Sequence, residues 1–96
     1  MIHVQVKMLG TLREASGKGE VEFTFPSRVD VAQVVRSLID ECGGGLGTQL
    51  LDPVLQSPQP NALILLDGVE INNLDGLRTP VGDGAALILL PVTHGG

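Results

Sequence analysis

The sequence predicts a single α+β domain, a mixed sheet of four to five strands with one main helix packed across one face. Three observations carry that class. Residues 2–8, "IHVQVKM", and 20–25, "EVEFTF", alternate apolar and polar side chains in the manner of strands with one wet face. Residues 30–42, "DVAQVVRSLIDEC", switch to the spacing of an amphipathic helix. Two later runs, "ALILL" and "AALILL", are apolar at every position, as strands inside a sheet are.

Taken in order, Ile2, Val4, Val6 and Met8 share one face of the first strand. "GTLREASGKG" reads as a loose loop, closing a hairpin with the strand carrying Val21, Phe23 and Phe25. Pro26 and Ser27 end that strand. Asp30, with Gln33 three positions on, reads as a capping box, and Val31, Val34, Val35, Leu38, Ile39 and Cys42 form the helix stripe. Gly43 to Gly45 read as a stop followed by a flexible connection. Within 46–60, the leucines at 46, 50, 51 and 55 and Val54 keep helical spacing, while Pro53 restricts any helix to a short piece. An irregular link runs on through Pro58 and Pro60. "ALILL" is followed by an Asp67-Gly68 turn and a short returning strand. Turns at Asp75-Gly76 and Gly82-Asp83-Gly84 precede the last strand. The expected organisation is one domain over 1–92 and a flexible tail over 93–96.

Composition narrows the function classes. Six Lys and Arg against eleven Asp and Glu give a net charge of −5 with no basic cluster, which argues against direct nucleic-acid binding. A single Cys, Cys42, cannot form an internal disulfide, and no leader-like segment opens the chain, so a reducing, cytoplasmic setting is expected. No apolar run is long enough to span a bilayer, and no membrane partner is expected. Phe is the only aromatic type, present twice, so the core is built of Val, Leu and Ile.

Few side chains offer chemistry. Cys42 lies on the apolar stripe without a basic neighbour in sequence and reads as core. His3 is close enough to the amino terminus to complete a square-planar metal site only if its strand amides are free, so it reads as a solvated surface residue, and no metal is expected. "GGGLG" at 43–47 lacks the Lys and the strand-to-helix setting of a phosphate loop. The carboxylates are scattered over caps and turns. Two features remain. Leu63, Leu65, Ile88 and Leu90 form an apolar set facing away from the helix, either a partner's docking patch or a surface covered by residues 46–60. The chain also ends "LPVTHGG", where Gly95 and Gly96 suit a narrow channel and leave the terminal carboxylate unhindered.

"LGTLREASG", the helix from "DVAQVV", "LLDGVEINNLDGLRTPVGDG" and "PVTHGG" together resemble the ubiquitin-like β-grasp sulfur carriers. That group holds the small subunit of molybdopterin synthase, the thiamine-pathway carrier and the ubiquitin-related modifier of tRNA thiolation. The spacing of Gly76-Leu77, Thr79-Pro80 and Asp83-Gly84 is the most specific part. The resemblance implies a β-grasp fold and a carrier that binds no cofactor itself. A partner activating enzyme would use ATP to adenylate the Gly96 carboxylate, and sulfur would replace AMP to leave a thiocarboxylate. It implies Gly96 as the modified residue, Gly95 as its unhindered neighbour, Pro91 and Val92 as the lead into the partner's channel, and the Leu63, Leu65, Ile88 and Leu90 patch as the dock. Further implied partners are the large subunit of molybdopterin synthase or a tRNA thiolase, with molybdenum cofactor biosynthesis, tRNA thiolation or lysine modification as the outlet. The chain departs from the family at Ala85 and Ala86, where an acidic residue is usual, and at Asp67-Gly68, where Asn-Gly is common. The alternative is a non-covalent β-grasp interaction module with an inert tail.

Overall fold

In a computed structural model, which describes residues 1–52, 54, 57–59 and 61–92, five strands form one mixed sheet. They are β1 (Ile2–Met8), β2 (Glu20–Phe25), β4 (Ala62–Leu66), β5 (Val69–Glu70) and β7 (Ala85–Pro91), in the spatial order β2-β1-β7-β4-β5. β1 and β7 run parallel, and every other neighbouring pair is antiparallel. The last strand is thereby the central one. A separate two-stranded ladder joins β3 (Val29–Asp30) to β6 (Pro80–Val81), which sequence patterning missed because two residues show no period.

One face of the sheet is dry. Val4, Val6 and Met8 from β1, Leu87 and Leu89 from β7, and Ile64 from β4 are at most 1% exposed. Helix α2 (Val31–Cys42) packs Val31, Val34, Val35 and Leu38 onto them. Its capping box forms as read: the Gln33 amide N–H donates to Asp30 Oδ1 at 2.8 Å, and the Asp30 N–H donates to Gln33 Oε1 at 2.9 Å.

Two expectations need correction. The supposed loose loop after β1 contains helix α1 (Gly10–Ser16), ended by Gly17 in the left-handed conformation at φ 73°. Burial of Leu12 and Ser16, one helical turn apart, fixes it, and the Ser16 hydroxyl bonds the carbonyls of Arg13 and Lys18. Gly43 does end α2, but Gly44, Gly45 and Gly47 lie inside a further helix, α3 (Gly44–Leu50), rather than in a flexible connection. Their poor helix propensity is overridden by close packing. A Cβ on Gly45 would stand 3.4 Å from the Ala15 carbonyl oxygen, and one on Gly47 would stand 3.3 Å from Ile39 Cγ2. Leu46 and Leu50, fully buried, pin α3 to the core. Pro53, Leu55 and Pro60 lie outside the described residues.

The Thr79 hydroxyl explains the turn-rich block before β6. It accepts from the Asp75 N–H at 3.0 Å and donates to the Gly76 carbonyl at 2.7 Å, while the Thr79 carbonyl receives the Val31 N–H at the start of α2. A buried hydroxyl with both roles used locks this block to the helix.

Candidate functional site

The last described strand runs through the middle of the sheet. β7 lies between β1 and β4 and ends at Pro91, which pairs with Ala62. Val92 follows, its N–H bonded to the Asn61 carbonyl at 3.0 Å. Gly10, at φ 57°, lies so close that a Cβ there would come within 2.9 Å of Pro91 Cγ. The strand end is thus clamped between Asn61 and the start of α1. Thr11, Thr48, Gln49 and Asn61 line a shallow groove beside Pro91 and Val92, offering neutral hydrogen-bonding groups at the root of the tail. Gly96, the expected modified residue, and its neighbour Gly95 lie outside the described residues, as do Thr93 and His94.

Strand register brings the four predicted patch residues together. Leu63 pairs with Leu90 and Leu65 with Ile88, all on the face away from α2, because Ala62, Ile64 and Leu66 alternate with them into the core. Leu63 is 38% exposed, and Leu65, Ile88 and Leu90 are half-buried. The described part of 46–60 does not lie over this face. Its helix α3 packs Leu46 and Leu50 into the core on the opposite side, and Val54 is 86% exposed. One patch member was missed in the sequence. The Met8–Leu89 pairing, extended by one residue, sets Leu9 beside Leu90, and Leu9 is 41% exposed. The signal was present: Leu9 continues the alternation of His3, Gln5 and Lys7 with an apolar residue where the pattern calls for a polar one.

Charges frame the patch. Register puts Lys7 beside Ile88 on one side and Glu70 beside Leu65 on the other. Asp67, at φ 49°, holds the β4–β5 turn against β7: its N–H donates to the Ala86 carbonyl at 2.8 Å, and its Oδ1 accepts from the Ala86 N–H at 2.9 Å. The Asp67-Gly68 pair therefore braces the strand that carries the tail.

The other titratable groups have structural uses. Burial pushes the Cys42 thiol above its ordinary value, the Lys18 ammonium opposing and the Glu41 carboxylate adding to the rise, so the side chain is a poor thiolate. Asp83 Oδ1 accepts from the His3 N–H at 2.8 Å and lies 2.8 Å from His3 Nδ1, and these bonds hold the Asp83 carboxyl below its usual range. With its amide committed to Asp83, His3 cannot supply that nitrogen to a metal. No three of His, Cys, Asp and Glu converge among the described residues, and no described helix is long and apolar enough to cross a membrane.

Comparison with known proteins agrees with this geometry. No protein-family model matches the chain. It is 28% identical over 95 residues to small archaeal modifier protein 3 of Haloferax volcanii, covering 99% of this chain and 100% of that protein. The solution structure of small archaeal modifier protein 1 from Methanosarcina acetivorans superposes with a TM-score of 0.79 at 29% identity, over 100% of this chain and 98% of that one. The crystal structure of the Amycolatopsis orientalis BexX/CysO complex contains a chain of the same fold, with a TM-score of 0.76 at 21% identity, covering 97% and 99%.

Proposed function

We propose that this chain is a ubiquitin-like β-grasp sulfur carrier, as its likeness to small archaeal modifier proteins suggests, and that it works through its terminal carboxylate as a carrier of activated acyl sulfur. The observation that carries the reading is the exit of the chain. A central strand, clamped at Pro91 and Val92 and bordered by an apolar dock, leads directly into Thr93-His94-Gly95-Gly96.

The chemistry follows from what a carboxylate can do. It is a poor electrophile at neutral pH, so the activating partner must first make it an acyl donor. A carboxylate oxygen of Gly96 attacks the α-phosphorus of ATP, pyrophosphate leaves, and a mixed anhydride with AMP forms. A persulfide sulfur then attacks the carbonyl carbon and AMP departs with the bonding pair. A second thiol reduces the resulting acyl disulfide, leaving the thiocarboxylate. If a lysine amine attacks the activated carbonyl instead, the product is an isopeptide bond, the outcome that the name of the Haloferax relative suggests.

The roles fall on the residues already placed. Gly95 and Gly96 present no Cβ to a channel wall. Pro91 and Val92 set the direction of entry. Leu63, Leu65, Ile88, Leu90 and Leu9 dock the activating enzyme, and the same surface serves the next partner, whether a molybdopterin synthase large subunit or a tRNA thiolase. In the BexX/CysO complex a chain of this fold is bound to a second protein, which supports a partner-docking role for the fold. Adding one residue after Gly96 tests the reading. The extended protein should still bind the activating enzyme but form no adenylate; an adenylate on the extended protein rules the reading out.

A further inference from the structure

The two borders of the main sheet differ. β5 is two residues long and blunt, whereas β2 presents six residues, Glu20–Phe25, with no described strand on its outer side. Unpaired strand edges bind extended peptide, and natural proteins blunt such edges with prolines, bulges or charges. β2 has no proline. Its charges are all of one sign: Glu20 and Glu22 are exposed on the outer face beside Thr24, Glu20 accepting from the Gln5 amide and Glu22 pairing in register with Gln5. The other face of the strand carries Val21, Phe23 and Phe25, all half-buried.

The aromatics are the second oddity. The chain has two, and both sit on this border strand, their ring centroids 5.8 Å apart, partly exposed while smaller aliphatic side chains fill the centre of the core. Partly exposed aromatics in a surface otherwise poor in them are typical anchors of an interface.

We infer that the β2 edge is a second docking site, distinct from the tail and from the Leu63, Leu65, Ile88 and Leu90 patch, for an extended segment of a partner protein with basic residues at alternate positions. Main-chain bonds to β2 supply the pairing. Basic side chains fall beside Glu20 and Glu22, and apolar ones between them rest on Val21, Phe23 and Phe25. A second copy of this chain is the wrong occupant. Pairing β2 with β2 with their faces matched gathers Glu20 and Glu22 of both chains into one negative strip, which like-charge repulsion disfavours. The same carboxylates that block self-association thus select a basic strand.

The test uses the full-length, isotope-labelled protein and two capped peptides as long as β2, one alternating lysine with valine and one alternating glutamate with valine, titrated at low salt. The lysine peptide should shift the amide signals of residues 20–25 and leave those of Leu63 and Leu90 in place. In the E20K/E22K variant, whose changed side chains are exposed, its affinity should fall about tenfold or more while the glutamate peptide gains. Deleting Gly96 should change neither result, which separates this site from the carboxylate chemistry. Absence of shifts at 20–25, shifts confined to the Leu63, Leu65, Ile88 and Leu90 patch, equal affinity after charge reversal, or self-association of the wild type through β2 would each overturn the inference.

Discussion

Replacing Gly10 with alanine should loosen the root of the tail, and glycine substitutions elsewhere give the scale. At Gly17, φ is 73° and nothing lies within 4 Å of an added Cβ, so Gly17→Ala carries the left-handed backbone cost alone, about 1 kcal/mol. At Gly82 the backbone is outside the left-handed region and the space is open, so Gly82→Ala should fall within about 0.5 kcal/mol of wild type. Gly10 combines both burdens. Its φ is 57°, and the new methyl would stand 2.9 Å from Pro91 Cγ, which forces Pro91 to move. Adding an overpacking cost of about 1 kcal/mol or more gives roughly 2–3 kcal/mol for Gly10→Ala. In a domain of this size that lowers the melting temperature by about 8 °C or more. Urea unfolding of the three variants reads the order, and the amide signals of Asn61 and Val92 read the movement at the strand end. If Gly10→Ala is no worse than Gly17→Ala, or leaves those amides unshifted, the clamp between α1 and β7 is not real.

The two faces of the sheet should separate stability from docking: Leu89→Ala, fully buried, should cost about 2–5 kcal/mol in urea unfolding. Leu63→Glu, 38% exposed, should stay within about 1 kcal/mol yet raise the KM of the activating enzyme for this protein with kcat little changed. Because the His3 bonds lower the Asp83 carboxyl from its ordinary value of 3.8, their stabilisation is present above that pH and is lost as pH falls through the folded-state value. The stability gap between wild type and Asp83→Asn, measured by thermal melting, should therefore close only in acid below about pH 4. Cys42, with its thiol raised by burial, should react with iodoacetamide at pH 7 more slowly than a free cysteine and reach normal rates in urea.

Much of the fold was legible because period and burial agree. β1, β2 and α2 each repeat long enough to declare themselves, and the Asp30–Gln33 box marks the helix start to the residue. α1 was not legible, and α3 only in part: the spacing of Leu46 and Leu50 predicts a short helical piece, but its start at Gly44, inside the glycine run, does not show. Both are only seven residues long, too short to be stable alone, and α3 also holds Gly44, Gly45 and Gly47, so tertiary packing of Leu12, Leu46 and Leu50 is what makes them helical. β3 and β6 are too short to show any pattern. For the site, alternation alone put Leu63, Leu65, Ile88 and Leu90 on one face, since a strand buried on one side only must turn its other set outward. Leu9 escaped notice because it stands at a strand-to-helix junction. The Gly10 approach to Pro91 could not be read from sequence, as it joins residues far apart in the chain.

The central claim is that the working group is the carboxylate of Gly96, and intact-mass spectrometry tests it most directly. The protein is incubated with its activating enzyme, ATP and a persulfide donor with reductant, then compared with the same protein carrying one residue after Gly96. The expected result is a mass gain equal to one oxygen replaced by sulfur, mapped to the C-terminal peptide and absent from the extended protein. A wild-type mass that never changes, or a gain that persists when Gly96 is no longer terminal, would contradict the account.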